Sequence, residues 1–190
     1  MTPEGWRRCP VEELLSSVGT GVSVNGQSRS RETGEIGVLR ISSVTYGAFR
    51  PEENKAVLAN ELNRIREPPR KGCVLVSRAN TQDLVGASVF VPRDFPDLVL
   101  PDKLWQLYPD PVATDGRWLQ LALSTKRMRA RISEVATGTS GSMKNISREK
   151  FLALDVLSPP LPEQRKIAAI LSSVAEAIEG TQAVIDQLQV

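Results

Sequence analysis

At 190 residues, 41% hydrophobic and 24% charged, the chain fits one packed domain, or one domain plus an appendage, and excludes global disorder. Histidine is absent, which removes the commonest general base, the usual metal ligand and any serine–histidine triad. The net charge of +2 is small but uneven: residues 1–150 carry 22 basic against 17 acidic side chains, and residues 151–190 carry 2 against 5.

The N-terminal "MTPEGWRRCPVEELL" has no apolar signal core, and no run approaches the roughly 18–20 apolar residues of a membrane span; the expected location is the cytoplasm. Residues 6–18 read as a short helix with Leu14, Leu15 and Val18 inward. "GTGVSVNGQSRSRETGEIG" reads as a loop, and "VLRISSVTYGAF" as strand then turn. "NKAVLANELNRIR" predicts a helix that "EPPRKG" terminates. "CVLVSR" and "ASVFVP" are compact strands separated by the loop "ANTQDLVG". "FPDLVLPDKLWQLYPD" mixes prolines with apolar residues and reads as irregular with short extended pieces. "DGRWLQLALSTKRMRARISEVA" has helical periodicity, "TGTSGSMKNIS" is a loop, and "REKFLALDVLSPP" closes with a short helix or turn and a last strand. Short strands mixed with helices and long loops predict an α+β body, a mixed sheet-and-helix domain at residues 1–157. Residues 158–190 form a proline hinge and a long coiled-coil-type helix.

In "LSPPLPEQRKIAAIL", Pro159 and Pro160 hold the backbone extended, Pro162 occupies the first helical turn, and Glu163 suits the helix dipole. Ile167, Leu171, Val174, Ile178, Thr181, Ile185 and Leu188 then alternate at spacings of four and three, a heptad seam with one polar interruption. Such a seam needs a second helix. The alternative is a helix lying flat on its own domain.

Cys9 and Cys73 are far apart and in no ligand-like spacing, so neither a disulfide framework nor a metal site is expected. No phosphate loop, methyltransferase motif or nucleophile elbow occurs; Asp83 and Asp155 read as caps and turn residues. The pattern argues against an enzyme. Three polar loops form a candidate DNA-reading surface instead: Gln27, Arg29 and Arg31; then Arg78, Asn80, Thr81 and Gln82; then Thr139, Ser140, Ser142, Lys144 and Asn145. Arg matches guanine edges, Asn and Gln match adenine, and Lys, Ser and Thr match phosphate or base. Residues 126–150 add a basic strip, 7 basic against 2 acidic, that includes Lys126, Arg127 and Arg129.

The stretch "LSPPLPEQRKIAAILSSVAEAI" resembles the conserved region of type I restriction–modification specificity subunits. "GEIGVLRISSVTYG", "PPRKGCVLVSR" and "GTSGSMKNISREKFLALDVLSPPLPEQ" are similar to further segments of that family, so the likeness covers nearly the whole chain. The resemblance implies a non-catalytic subunit whose target recognition domains each read half of a split double-stranded DNA site. It implies helices that pair antiparallel to set the spacing. It also implies a modification (methyltransferase) subunit that docks on the helix and carries S-adenosylmethionine, and a motor-nuclease subunit that joins them. No cofactor is expected on this chain. Where the family has two recognition domains this sequence has one, the pattern of a half-subunit or truncated form that would complete itself as a homodimer through the C-terminal helix. The competing expectation is an interaction scaffold or remnant that binds a helical partner without reading DNA.

Overall fold

The computed structural model describes residues 3–138 and 143–188. Its centre is a four-stranded antiparallel sheet in the order β2 (Leu15–Thr20), β9 (Leu104–Pro109), β5 (Val74–Ser77), β7 (Ser88–Phe90). Strand alternation sorts its side chains to two cores. Val74, Val76, Trp105 and Leu107 face a layer of three helices, α1 (Gly116–Ser124), α2 (Lys126–Val135) and α3 (Arg148–Leu152). Leu75, Val89 and Leu104 face the opposite side, where Leu39, Val44, Phe95, Leu98 and Leu100 pack. Beyond lies a small sheet, β4 (Asn54–Ala56), β3 (Gly37–Leu39), β8 (Leu98–Val99), antiparallel on one side and parallel on the other. Two ribbons complete the body: β1 (Arg7–Pro10) with β11 (Asp155–Ser158), and β6 (Ala79–Asn80) with β10 (Lys144–Asn145). A single helix, α4 (Leu161–Leu188), leaves the end of β11. The α+β expectation holds.

Three local readings are corrected. Residues 6–18 are not a helix: Arg7–Pro10 pair with Asp155–Ser158, only Val11–Leu14 make a 3-10 turn, and Leu15 starts the central sheet's edge strand. Nor does 54–66 form an α-helix. The buried Asn54 amide bonds to Arg31 N, Pro51 O and Glu52 O, which holds the chain extended through β4 before a 3-10 stretch at Ala59–Arg64. The long helix expected over 115–136 is two. Thr125 is extended, donates to Ala122 O and accepts from Met128 N, so it closes α1 and caps α2.

On the second face of the central sheet, a half-buried polar knot centred on the buried Gln106 adjoins the apolar packing. Gln106 donates to Glu67 and Pro68 O and accepts from Arg70 N, and Tyr108 donates to Glu67 Oε1 at 2.6 Å. Glu67 sits in the left-handed region (φ 59°), a strained conformation held by these bonds and by Leu100 N. Burial, and then the bond to Glu67, push the Tyr108 phenol up to about 12; burial pushes the Cys73 thiol up to about 12. Both groups are therefore favoured neutral in the fold. Their contribution is complete below the unfolded-state values and is lost as pH rises through the folded ones, so stability should fall between about pH 9 and 12. Tyr108→Phe should cost about 2 kcal/mol near neutral pH, because it removes a bond to a carboxylate, and should flatten the alkaline decline. Urea melts at pH 8 and 10.5 check this; an equally steep decline in the variant would dissociate Tyr108 from it.

Candidate nucleic-acid interface

The second and third predicted loops meet. Asn80 pairs with Lys144 and Ala79 with Asn145, Ile146 N donates to Arg78 O, and Thr137 and Asn145 exchange backbone bonds of 2.7 and 2.8 Å. Asn80 accepts from Thr81 N, which shapes the turn into Gln82. One face of α2 closes on the same loop: Ser133 Oγ donates to Gln82 O and Arg129 Nη2 to Asp83 O. Lys144 Nζ reaches Gly138 O at 3.0 Å. Thr139, Ser140 and Ser142 lie outside the described residues.

The basic strip is divided by helix geometry. Arg127 and Arg131, four apart, share a face and line a pocket with Arg8 and Asp155, where Arg131 donates to Asp155 O. Arg129 points to the loop on the other side. Its burial lowers its pKa from the usual arginine value, and Nη1 has no hydrogen-bond partner among the described residues. Lys126 is exposed in the first turn of α2.

Arg78 faces the loop at 101–103. Its Nε donates to Asp102 O at 2.7 Å and its backbone N to Lys103 O. Beyond that loop runs a groove lined by Ser23, Arg40, Ser42, Lys55 and Lys103. Arg40, Lys55 and Lys103 are cations that sequence reasoning missed. The available signal was strand alternation: in β4, Lys55 is exposed between buried Asn54 and Ala56, a pattern lost once the segment is read as helix. The first loop borders this groove from the far side, since Arg40 Nη2 donates to Ser28 O and Gln27 N donates to Ala56 O beside Lys55. Its arginines are engaged locally. Arg29 makes two 2.6 Å bonds to Glu35 and holds that carboxyl down to about 2, and Arg31 pairs with Asp97.

The helix-pairing residues divide too. Ile167 packs against the body's core, while Leu171, Val174, Ile178 and Ile185 are exposed, as are Ile170 and Val184. Leu188 ends α4, and its side chain is outside the described residues. The helix thus lies on its own domain only at its start. Among the described residues no helix is long and apolar enough to cross a membrane, and no cluster of His, Cys, Asp and Glu is arranged to hold a metal.

An α+β body with a polar, partly cationic loop surface and one long, apolar-striped helix defines a recognition module with a helical arm. Residues 3–190 match the type I restriction modification DNA specificity domain, and the chain belongs to that family, whose members are recognition components and not catalysts. It is 26% identical over 188 residues, 98% of its length, to the type I restriction enzyme EcoEI specificity subunit of Escherichia coli, and spans 30% of that protein. The fold is similar to the type I restriction-modification S subunit from M. genitalium (TM-score 0.65, 18% identity, 98% of this chain and 45% of that one). It is also similar to the HsdS subunit from Thermoanaerobacter tengcongensis (TM-score 0.60, 16% identity, 97% and 40%). The chain therefore corresponds to less than half of each of these relatives.

Proposed function

We propose that the body, residues 1–157, reads one half of a bipartite double-stranded DNA target, and that residues 158–190 form the spacer arm. The arm pairs with a second helix, either from another copy of this chain or from a second recognition half, and docks the modification subunit. That subunit carries S-adenosylmethionine, and the motor-nuclease subunit joins the assembly; this chain needs no cofactor of its own. One observation carries the reading: in a member of a DNA specificity family, the β6–β10 ribbon, the Gln82-facing side of α2 and the Arg40–Lys55–Lys103 groove are linked through Arg78 and Asp102. In this reading Asn80, Thr81, Gln82, Lys144 and Asn145 contact bases, and Arg40, Lys55 and Lys103 contact phosphates.

Lys55→Ala combined with Lys103→Ala should weaken binding to every duplex alike and reduce the slope of log affinity against log salt by about 1.8, about 0.9 for each phosphate that a lysine no longer neutralises. Binding is measured on duplexes selected from a random pool in the presence of the modification subunit. An unchanged salt slope would remove the groove from the interface. Failure of any duplex to be selected would favour the scaffold reading. That second reading has one observation behind it: Arg29, Arg31 and Arg78 are paired with Glu35, Asp97 and Asp102 of the chain itself.

A further inference from the structure

The joint between body and arm is built around a side chain that the proline pattern hides. Gln164 is 1% exposed. Its Nε2 donates to Ala113 O at 3.0 Å and Pro159 O at 2.9 Å, with Ser158 Oγ sharing a proton at 3.2 Å, and its Oε1 accepts from Asp115 N at 2.9 Å. One amide thereby ties together the end of β11, the turn before α1 and the first turns of α4. Beside it the Glu163 carboxylate accepts from Trp6 Nε1, 3.1 Å from each oxygen, which adds the segment before β1. One turn on, Ala168 is buried and Ile167 packs on the helix layer; Arg117 Nη1 reaches Ser172 Oγ at 3.4 Å. From Ser173 to Gln187 every described side chain is exposed. The direction of the arm is set in its first three turns.

Prolines 159 and 160 restrict the backbone at one point, but they do not prevent rotation of a rigid helix about it. A buried amide bonded to two segments of the body does, because turning the helix would strand several buried polar groups at once. We infer that Gln164, assisted by Glu163 and Trp6, is the positioning residue that aims α4. The consequence for DNA rests on the recognition reading above. From Gln164 to Ile185 the helix rises about 32 Å. A tilt of about 10° would move that end by about 5 Å, more than one base-pair step of about 3.4 Å. Holding the angle therefore holds the spacing between half-sites, and Gln164 is a determinant of spacer length although it touches no base.

The test labels the full chain at two exposed positions with spin probes, Tyr46→Cys on the body and Gln182→Cys on the arm. Cys9 and Cys73 are buried, and unlabelled chain is added in excess to suppress signals between copies. The parent protein should give one narrow distance distribution. Gln164→Leu, of similar size but without hydrogen bonds, should at least double its width while the far-ultraviolet circular dichroism of the body is retained. Trp6→Phe, which removes only the bond to Glu163, should broaden it less, and it decides the question if Gln164→Leu does not fold. Unchanged widths in the folded variants would overturn the assignment. In a second arm, duplexes with spacers one base pair longer and shorter are compared: the parent should prefer one length by at least tenfold, and Gln164→Leu should reduce that preference to less than threefold. If the parent selects no duplex, the recognition reading fails, while the distance widths still decide the aiming role.

Discussion

Ile178→Asp is expected to weaken self-association at least 100-fold and to leave the body's melting temperature unchanged. Ile178 lies in the middle of the free arm and is 64% exposed. Leu171 and Val174 precede it at spacings of seven and four, and Ile185 follows at seven, so it occupies the centre of the stretch of the seam that the body leaves bare. Burying an isoleucine stabilises by about 1.5–3 kcal/mol. In a two-fold pair the change occurs once per copy and puts a carboxylate in each place, so about 3 kcal/mol, or 100-fold, is a conservative expectation. Sedimentation or light scattering over a concentration series reads the effect. A parent protein that stays monomeric throughout would assign the stripe to a different helical partner. An unchanged dimer in the variant would place the contact elsewhere on the chain.

Gly86→Ala should be the more damaging change to the body, at about 3 kcal/mol. Gly86 has φ 76°, a region that costs an L-residue about 1–2 kcal/mol. An added Cβ would lie 2.4 Å from Ile132 Cγ2 and 3.0 Å from Arg129 Nη1. Ile132 is fully buried and cannot swing aside, so α2 must shift, and overpacking of this kind costs about 1–3 kcal/mol more. For a chain of this size the melting temperature should fall by about 6–12 °C. The displaced elements are α2 and the loop ending at Gly86, which Gly86 N anchors through Ser77 O at 2.7 Å. DNA affinity should therefore fall more than in Lys55→Ala or Lys103→Ala alone, even well below the melting transition. Melting at the parent's temperature would show that the loop absorbs the methyl group and that α2 is not held by this contact.

The candidate interface is legible in parts. Asn80, Thr81, Gln82, Lys144 and Asn145 stood out as polar residues in glycine-containing loops, and the chain does bring these two loops onto one ribbon although they lie some 60 positions apart. What local reading could not supply was orientation. Arg127 and Arg129 are neighbours in the strip yet face opposite sides of α2, because two residues on a helix differ by about 200°. Arg29 and Arg31 read as free cations until Glu35 and Asp97 are seen beside them. The glutamine of the "PPLPEQ" segment gave no sign of burial, since Gln is mostly a surface residue and its partners Ala113 and Asp115 lie about 50 positions upstream.

The sequence by itself determined the short apolar strands at Val74–Ser77 and Ser88–Phe90, the seven-residue repeat of the arm and the family likeness. Each of these rests on local periodicity or on a contiguous motif, and neither needs a distant partner. Only the tertiary structure decided that Arg7–Pro10 is a strand, that Lys55 joins Arg40 and Lys103 in a groove, and that Gln164 locks the arm to the body. In each case the deciding bond is made to residues far along the chain. The backbone of 7–10 is satisfied by 155–158, and the side chain of 164 by 113 and 115. Pairing across such distances overrides the weak helical preference that the local sequence carries.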